Sequence, residues 1–342
     1  MMDFSRYERQ SILKEIGIEG QRKLQASRVA IVGLGALGSV SSGLLARAGI
    51  GTLRLIDRDF LEINNLQRQI LFDESDVRQH LPKAVAAKRK LEAVNSEIKI
   101  EAEAADLNAD TIEELLKGMD LVIDGTDNFE TRFLINDNAL KENIPWIYGG
   151  ALRSEGMSYV VLPHQGPCLR CLFPETPQRG YFQTCDQVGV LASAAHVVAS
   201  FQAAEAMKIL MGAQAAVDRR LWKMDLWVRK FQAFNVEDLV DRPCPGCEQQ
   251  DFPYLHREIG MRVVTLCGRN AVQIYSSGEN RISFERLASR LAGQVEVNYN
   301  DYALTILPRP YQITVFANGR AIVKGTEDAG QAKSLYAKYI GA

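Results

Sequence analysis

The chain has 342 residues, 46% of them hydrophobic and 24% charged, with a formal net charge of -2. This length exceeds one modest core and favours two domains, and the near-neutral balance argues against general nucleic-acid or membrane-surface binding. The opening MMDFSRYERQ lacks the apolar core of a signal peptide, and the most apolar stretch, Val188 to Phe201, is too short to span a bilayer and carries His196. A cytoplasmic protein that binds no membrane is therefore expected. The six cysteines are too few for a disulfide scaffold, and their pairing in a reducing compartment points towards metal.

In chain order, Asp3 to Leu24 carries RYERQ (Arg6 to Gln10) and then the amphipathic ILKEIGIEGQRKL, which reads as one or two short helices. Its charge fits a solvated face or, with two arginines beside a tyrosine, a segment that reaches a phosphate. RVAIVGLGALGS, Arg28 to Ser39, follows. The run Val29 to Val32 reads as a strand, and Gly33, Gly35 and Gly38 form G-x-G-x-x-G around Ala36. Val40 to Ala48 reads as a helix, and Leu53 to Ile56 as a second strand ending in Asp57. This is the order of parts in a Rossmann-type half. The glycines let backbone N–H groups approach a phosphate at a helix N-terminus, and Asp57 stands where a ribose hydroxyl needs an acceptor. A plain strand–helix turn is the alternative.

After Asp57, residues Asn64, Asn65, Gln67 and Arg68 form a polar cluster at a strand's carboxyl end, where open α/β sheets bind ligands. A loop capped by its asparagines explains the cluster equally. His80 to Asn95 reads as a helix with Pro82 near its start. Lys83 falls in its first turn, where a cation opposes the helix dipole and an anion partner would explain it. A strand at Ile98 to Ala102 and a helix at Ala109 to Lys117 come next. The strand Leu121 to Ile123 then runs into DGTDNFETR, with Asp124, Asp127 and Asn128 at its carboxyl end. Two carboxylates here suit Mg²⁺, although one of them is expected to cap the following helix. Trp146 to Tyr148, after Pro145, reads as a strand ending at Gly149-Gly150. The β-α-β alternation predicts a mostly parallel sheet with helices on both faces.

Cys168-Leu-Arg-Cys171 and Cys244-Pro-Gly-Cys247 are two C-x-x-C knuckles in turn-rich contexts. Together they supply the four thiolates of a closed, structural zinc site. Between them Leu191 to Met211 reads as a helix stopped by Gly212, with His196 packed within it. Cys185, just before that helix, fits a nucleophile of lowered pKa or a small buried residue. From Met261 onward the chain reads as short strands (RVVTL, AVQIY, QVEVNY, ALTILP, YQITVF, RAIVKG). Helices fall at Phe284 to Leu291 and Ala329 to Tyr339, and Asn318-Gly319 reads as a hairpin turn. Cys267 reads as a packed thiol. The expected domains are residues 1–250, a linker at 251–260, and a small α+β domain at 261–342.

Arg68, Lys83 and Arg9 supply positive charge, Asp127 a metal ligand, Asp57 a ribose acceptor and the glycine turn a phosphate cradle. No Walker-type G-x-x-x-x-G-K-[ST] is present. Attack of a carboxylate on the α-phosphate of ATP, giving an acyl-adenylate and pyrophosphate, uses these parts best. Hydride transfer with NAD would leave the cations, Asp127 and the knuckles without a role, and a non-catalytic nucleotide-binding protein is the third possibility.

RYERQ, GLGALG, D-R-D…NNLQRQ, LPKAVAAK, DGTDNFETR, the two knuckles and TCDQVGV together resemble the motif set of the ThiF/MoeB/HesA adenylyltransferases. The match covers Phe4 to Cys247, and the tail is similar to the extension of longer bacterial ThiF proteins. The resemblance implies a Rossmann-like ATP-binding domain and a homodimer. Its implied activity is adenylation of the C-terminal glycine of a ubiquitin-like sulfur carrier ending in Gly-Gly. That carrier is ThiS-like for thiamin or, alternatively, MoaD-like for molybdopterin, with a cysteine desulfurase or other sulfur donor downstream. It further implies that Asp57, Asn64 and Asn65 hold the ribose and neighbouring groups, that Arg68 and Lys83 bind phosphates, and that Asp127, beside Asn128, holds Mg²⁺. Arg9 would reach the active site of the opposite subunit, and Cys185 would match the cysteine that links some members covalently to the carrier. Ala36 stands where many members have glycine. The contact wanted there is from the backbone, so little harm is expected.

Overall fold

A computed structural model describes residues 5–174, 188–237, 243–256, 262–266, 270–275 and 282–340. Cys185 and Cys267 lie outside the described residues. Contacts divide the chain into Met1–Arg257 and Glu258–Ala342.

The first unit opens with short helices α1 (Glu8–Ser11) and α2 (Gly17–Ala26), then β1 (Arg28–Val32), α3 (Gly38–Ala48) and β2 (Thr52–Ile56). Next come α4 (Glu74–Arg78), α5 (Lys83–Val94), β3 (Lys99–Glu103), α6 (Ile112–Leu116), β4 (Leu121–Asp124) and α7 (Phe129–Glu142). The unit continues with β5 (Trp146–Leu152), β6 (Glu155–Val161), α8 (Leu169–Leu172), α9 (Ala192–Met211), β7 (Leu221–Asp225) and β8 (Lys230–Phe234). The strands make one sheet in the order β3-β2-β1-β4-β5-β6-β7-β8. It is parallel through β5 and antiparallel beyond. Chain order reverses between β1 and β4, the place where open α/β sheets bind ligands, and there Val32 lies opposite Asp124.

One expectation is corrected. Strand β5 does not stop at Gly149-Gly150: those residues pair with Ser158 and Met157 of β6, which carries the strand on to Leu152. The antiparallel strands β6, β7 and β8 carry no clean period-2 pattern, because sequences such as LWKMD and KFQAF mix polar and apolar residues on half-buried faces. Helix α5 starts at Lys83 because Pro82, with φ -57° and ψ 140°, is its extended N-cap residue. Helix α9 ends where Gly212 takes φ 77°.

The first core gathers Val122, Phe133, Trp146 and Tyr159 with Cys168, Cys171 and Cys244. Phe252, Tyr254 and Leu255 pack against it, and the Tyr254 ring stacks on Phe133 at 5.1 Å. The first unit thus runs past residue 250 into the stretch assigned to a linker. No described helix is long and apolar enough to cross a membrane.

The second unit contains β9 (Arg262–Leu266), β10 (Ala271–Tyr275), α10 (Phe284–Leu291), β11 (Glu296–Tyr299), β12 (Ala303–Leu307), β13 (Gln312–Phe316), β14 (Ala321–Lys324) and α11 (Ala329–Tyr339). Its sheet is antiparallel, in the order β11-β12-β13-β14-β10-β9. Leu287 and Leu291 of α10 and Leu335 and Tyr336 of α11 cover the face that presents Val272, Ile306, Ile313 and Val323. Gly319, at φ 82°, makes the turn between β13 and β14.

Candidate active site

The site forms where the exits of β1 and β4 meet. Gly33 takes φ +84°, and a Cβ there would lie 2.7 Å from the Gly125 carbonyl oxygen. A Cβ on Gly38 would overlap the Gly33 carbonyl, and one on Gly125 would do the same. These three glycines therefore let the turn and the loop after β4 pack backbone on backbone. Gly35 differs: among the described residues outside its chain neighbours, the atoms nearest its missing Cβ, Gln69 Nε2 and Gly125 O, both lie 4.0 Å away. It faces a gap. Ala36 turns its methyl towards the cluster of Leu37, Val40, Ala195 and Val198 and leaves that gap clear.

Asp57 ties the turn to the next strand. Its carboxylate accepts from Leu34 N at 2.7 Å and from Asp59 N at 2.7 Å. Burial pushes its pKa up, opposed by the Lys83 ammonium. An ionised carboxylate offers about four lone-pair sites, so two amides leave it capacity for a ribose hydroxyl. Lys83 is buried at the start of α5, with Nζ 3.4 Å from Asp59 Oδ2. The anion that explains a cation in this first turn thus belongs to the chain itself. Asp59 is a site residue that the sequence does not single out.

The asparagines are held locally. Asn65 Oδ1 accepts from Glu62 N at 3.1 Å, and Asn65 Nδ2 donates to Asn64 Oδ1 at 2.9 Å. Arg68 donates to Asn64 O at 2.9 Å, and its own carbonyl lies 3.1 Å from His196 Nε2 of α9. His196 therefore braces the loop of Asn64 to Arg68 as well as packing in its helix.

The carboxylates after β4 divide their labour, and neither caps α7, which corrects the expectation. Asn128 is the cap, accepting from Thr131 N at 2.9 Å. Asp124 is fully buried and pairs with Arg132 Nε at 3.0 Å while accepting from Thr126 N at 2.9 Å. Arg132 Nη2 also donates to Thr126 O at 2.7 Å and Gly149 O at 3.0 Å. Asp127 alone of the pair is exposed, beside Asn128 Nδ2 at 3.5 Å. Gln202 of α9 locks the floor by donating to Asp124 O at 2.7 Å and Ile147 O at 3.1 Å. Gln202 carries no motif and is recognisable only in the fold.

Arg9 lies elsewhere. Tyr7 is buried against Gly49 and accepts from Asn95 Nδ2 at 2.9 Å, while Gln10 donates to Ala48 O at 3.0 Å. These anchors are the far ends of α3 and α5, at the amino edge of the sheet and opposite the glycine turn. Arg9 itself is exposed.

The four knuckle cysteines come together, all four Sγ lying within 4.8 Å of one another. The separations Cys168–Cys171, Cys168–Cys244 and Cys171–Cys247 are 3.9, 3.8 and 3.5 Å. A disulfide needs about 2.05 Å, whereas a zinc tetrahedron with bonds of about 2.3 Å puts its sulfurs about 3.8 Å apart. Hydrogen bonding with Cys171 and its neighbours pushes the Cys168 thiol up. The Cys168 thiol in turn pulls Cys244 down to about 6, and Cys247 down as well.

A family model described as "ThiF family" matches residues 7–246. The chain belongs to the ThiF family. A sulfur carrier protein ThiS adenylyltransferase of Bacillus subtilis is 40% identical over 338 residues, covering 98% of this chain and 99% of that one. A SAMP-activating enzyme E1 of Haloferax volcanii is 38% identical over 242 residues, 71% of this chain and 88% of its own. Among solved structures, E. coli MccB with ATP is 26% identical with a TM-score of 0.60, covering 72% of this chain and 74% of that one. The matched family segment holds the glycine turn, Asp57, Lys83, Asp127 and three of the four clustered cysteines, Cys168, Cys171 and Cys244.

Proposed function

We propose that this ThiF-family protein uses ATP to adenylate the C-terminal glycine of a ubiquitin-like sulfur carrier, and that the carrier is ThiS-like. The observation that carries this is the end-to-end match to the Bacillus enzyme, which includes the second unit, whereas the Haloferax relative matches 71% of the chain. In the step, a terminal carboxylate oxygen of the carrier attacks the α-phosphorus. The bond from that phosphorus to the oxygen bridging towards the β-phosphorus breaks, and pyrophosphate leaves with the electron pair. No proton needs to move.

The chain's own groups fit each demand. Gly35 keeps open the gap where phosphate meets backbone N–H groups, and Asp57 takes the ribose. Lys83 and Arg68 neutralise charge that builds towards the departing pyrophosphate. With Asp124 committed to Arg132, one exposed carboxylate remains, and Mg²⁺ is commonly held by one or two carboxylates plus substrate phosphates. Asp127 would hold it, and the ion would supply further charge neutralisation at the phosphates. Arg9, anchored at the wrong edge for its own site, would serve the site of a second copy in a homodimer. The knuckles would hold a structural zinc, with no ligand position left for substrate. Cys185 would act after adenylation, in transfer to the carrier, with a cysteine desulfurase or similar donor supplying the sulfur. The need for ATP supports a cytoplasmic setting.

The test is ATP–pyrophosphate exchange with purified carriers that end in Gly-Gly. Exchange should depend on a ThiS-like carrier and be weaker with a MoaD-like one. Exchange with neither carrier would refute the proposal, and a preference for the MoaD-like carrier would move it to molybdopterin synthesis.

A further inference from the structure

Gln69 is 3% exposed, although Asn64 and Gln67 of the same loop are exposed. Its backbone is fixed: Gln69 N donates to Asn65 O at 3.0 Å, and Gln69 O accepts from Phe72 N at 3.3 Å. Its side chain is not. Oε1 is buried and has no hydrogen-bond partner among the described residues. Nε2 borders the gap at Gly35, 4.0 Å from the missing Cβ, and the Gly125 carbonyl oxygen lies at the same distance. A buried carboxamide left unsatisfied is a net cost to a fold, and an apolar residue of similar shape would avoid it. Stability therefore does not explain this glutamine.

We propose that Gln69 is a further substrate-contacting residue, one that donates from Nε2 to a polyphosphate oxygen of ATP seated at the Gly35 gap. This rests on the nucleotide reading above. Lys83 and Arg68 supply charge there; a neutral amide supplies direction, fixing which way a phosphate oxygen points. The terminal amide torsion is soft, so Oε1 can turn to a ribose hydroxyl once the gap is filled.

Gln69→Leu and Gln69→Glu in the full-length protein test the assignment, with ATP affinity measured by calorimetry and melting temperature measured without nucleotide. The Leu variant should melt at or above the wild-type temperature and bind ATP about tenfold to a hundredfold more weakly. The Glu variant, with a carboxylate facing phosphate, should bind more weakly still, and most so at low salt. Leu-variant affinity within about twofold of wild type would overturn the assignment while wild-type ATP binding left the adenylation reading intact. Wild-type protein that binds no ATP would overturn both. If the Leu variant does not fold, the Glu variant decides, and an ATP affinity that is wild-type or independent of salt rejects the contact.

Discussion

Arg132→Met removes the cation that the loop below Asp127 is built on. The side chain is 7% exposed and Asp124 0%, so neither charge is rescued by water. The substitution deletes the 3.0 Å bond to Asp124 and the bonds of 2.7 and 3.0 Å to the Thr126 and Gly149 carbonyls. Asp124 keeps Thr126 as donor but is left a buried anion without a counter-charge. Removing one partner of such a pair costs about 3–5 kcal/mol. All three tryptophans, Trp146, Trp222 and Trp227, lie in the first unit, so tryptophan fluorescence during urea unfolding reports that unit by itself. The single variant should lose about 3–5 kcal/mol in that transition. Adding Asp124→Asn should restore at least about 1–2 kcal/mol, because the amide can still accept from Thr126 and no longer carries charge. A loss below about 1 kcal/mol, or additive effects of the two changes, would show that the pair does not hold this loop.

Other consequences follow from the same geometry. If Arg9 acts across a homodimer, Arg9→Ala and Asp127→Ala should each abolish carrier-dependent exchange. Unfolding and refolding the two variants together should then recover about a quarter of wild-type activity, since half the dimers are mixed and each mixed dimer has one intact site; no recovery would exclude action in trans. Gly38→Ala forces a methyl into the Gly33 carbonyl and should destabilise by about 3 kcal/mol or more, whereas Gly35→Ala should leave stability within about 1 kcal/mol and weaken ATP binding. Equal effects of the two changes on the melting temperature would contradict this division. The purified protein should carry about one zinc per chain, lost in Cys168→Ser and in Cys244→Ser together with a lower unfolding midpoint. Atomic absorption showing full metal in either variant would remove the assigned site.

The sequence by itself determined the elements whose signals are local. G-x-G-x-x-G between an apolar run and a helix reads out β1, the turn and α3, because backbone sterics allow few residues there. Two C-x-x-C knuckles announce a four-thiolate cluster, since that spacing brings paired sulfurs together whatever the rest of the fold. Asn318-Gly319 likewise specifies its own hairpin.

Tertiary structure alone decided the partners. Asp124, Asp127 and Asn128 all suit a helix cap by residue type. Only the path of the chain out of β4 gave the cap to Asn128, buried Asp124 against Arg132 and left Asp127 exposed. Lys83 and Asp59 are 24 positions apart and meet at 3.4 Å, a distance set by how α5 packs on β2. The glycine turn shows the same division: Gly33, Gly35 and Gly38 are one motif in the sequence, but in the fold two of them exist for backbone contact and one for open space. Periodicity and spacing record what a residue can do locally. Which of those capacities is spent on the fold and which is left for a ligand depends on the neighbours that burial brings.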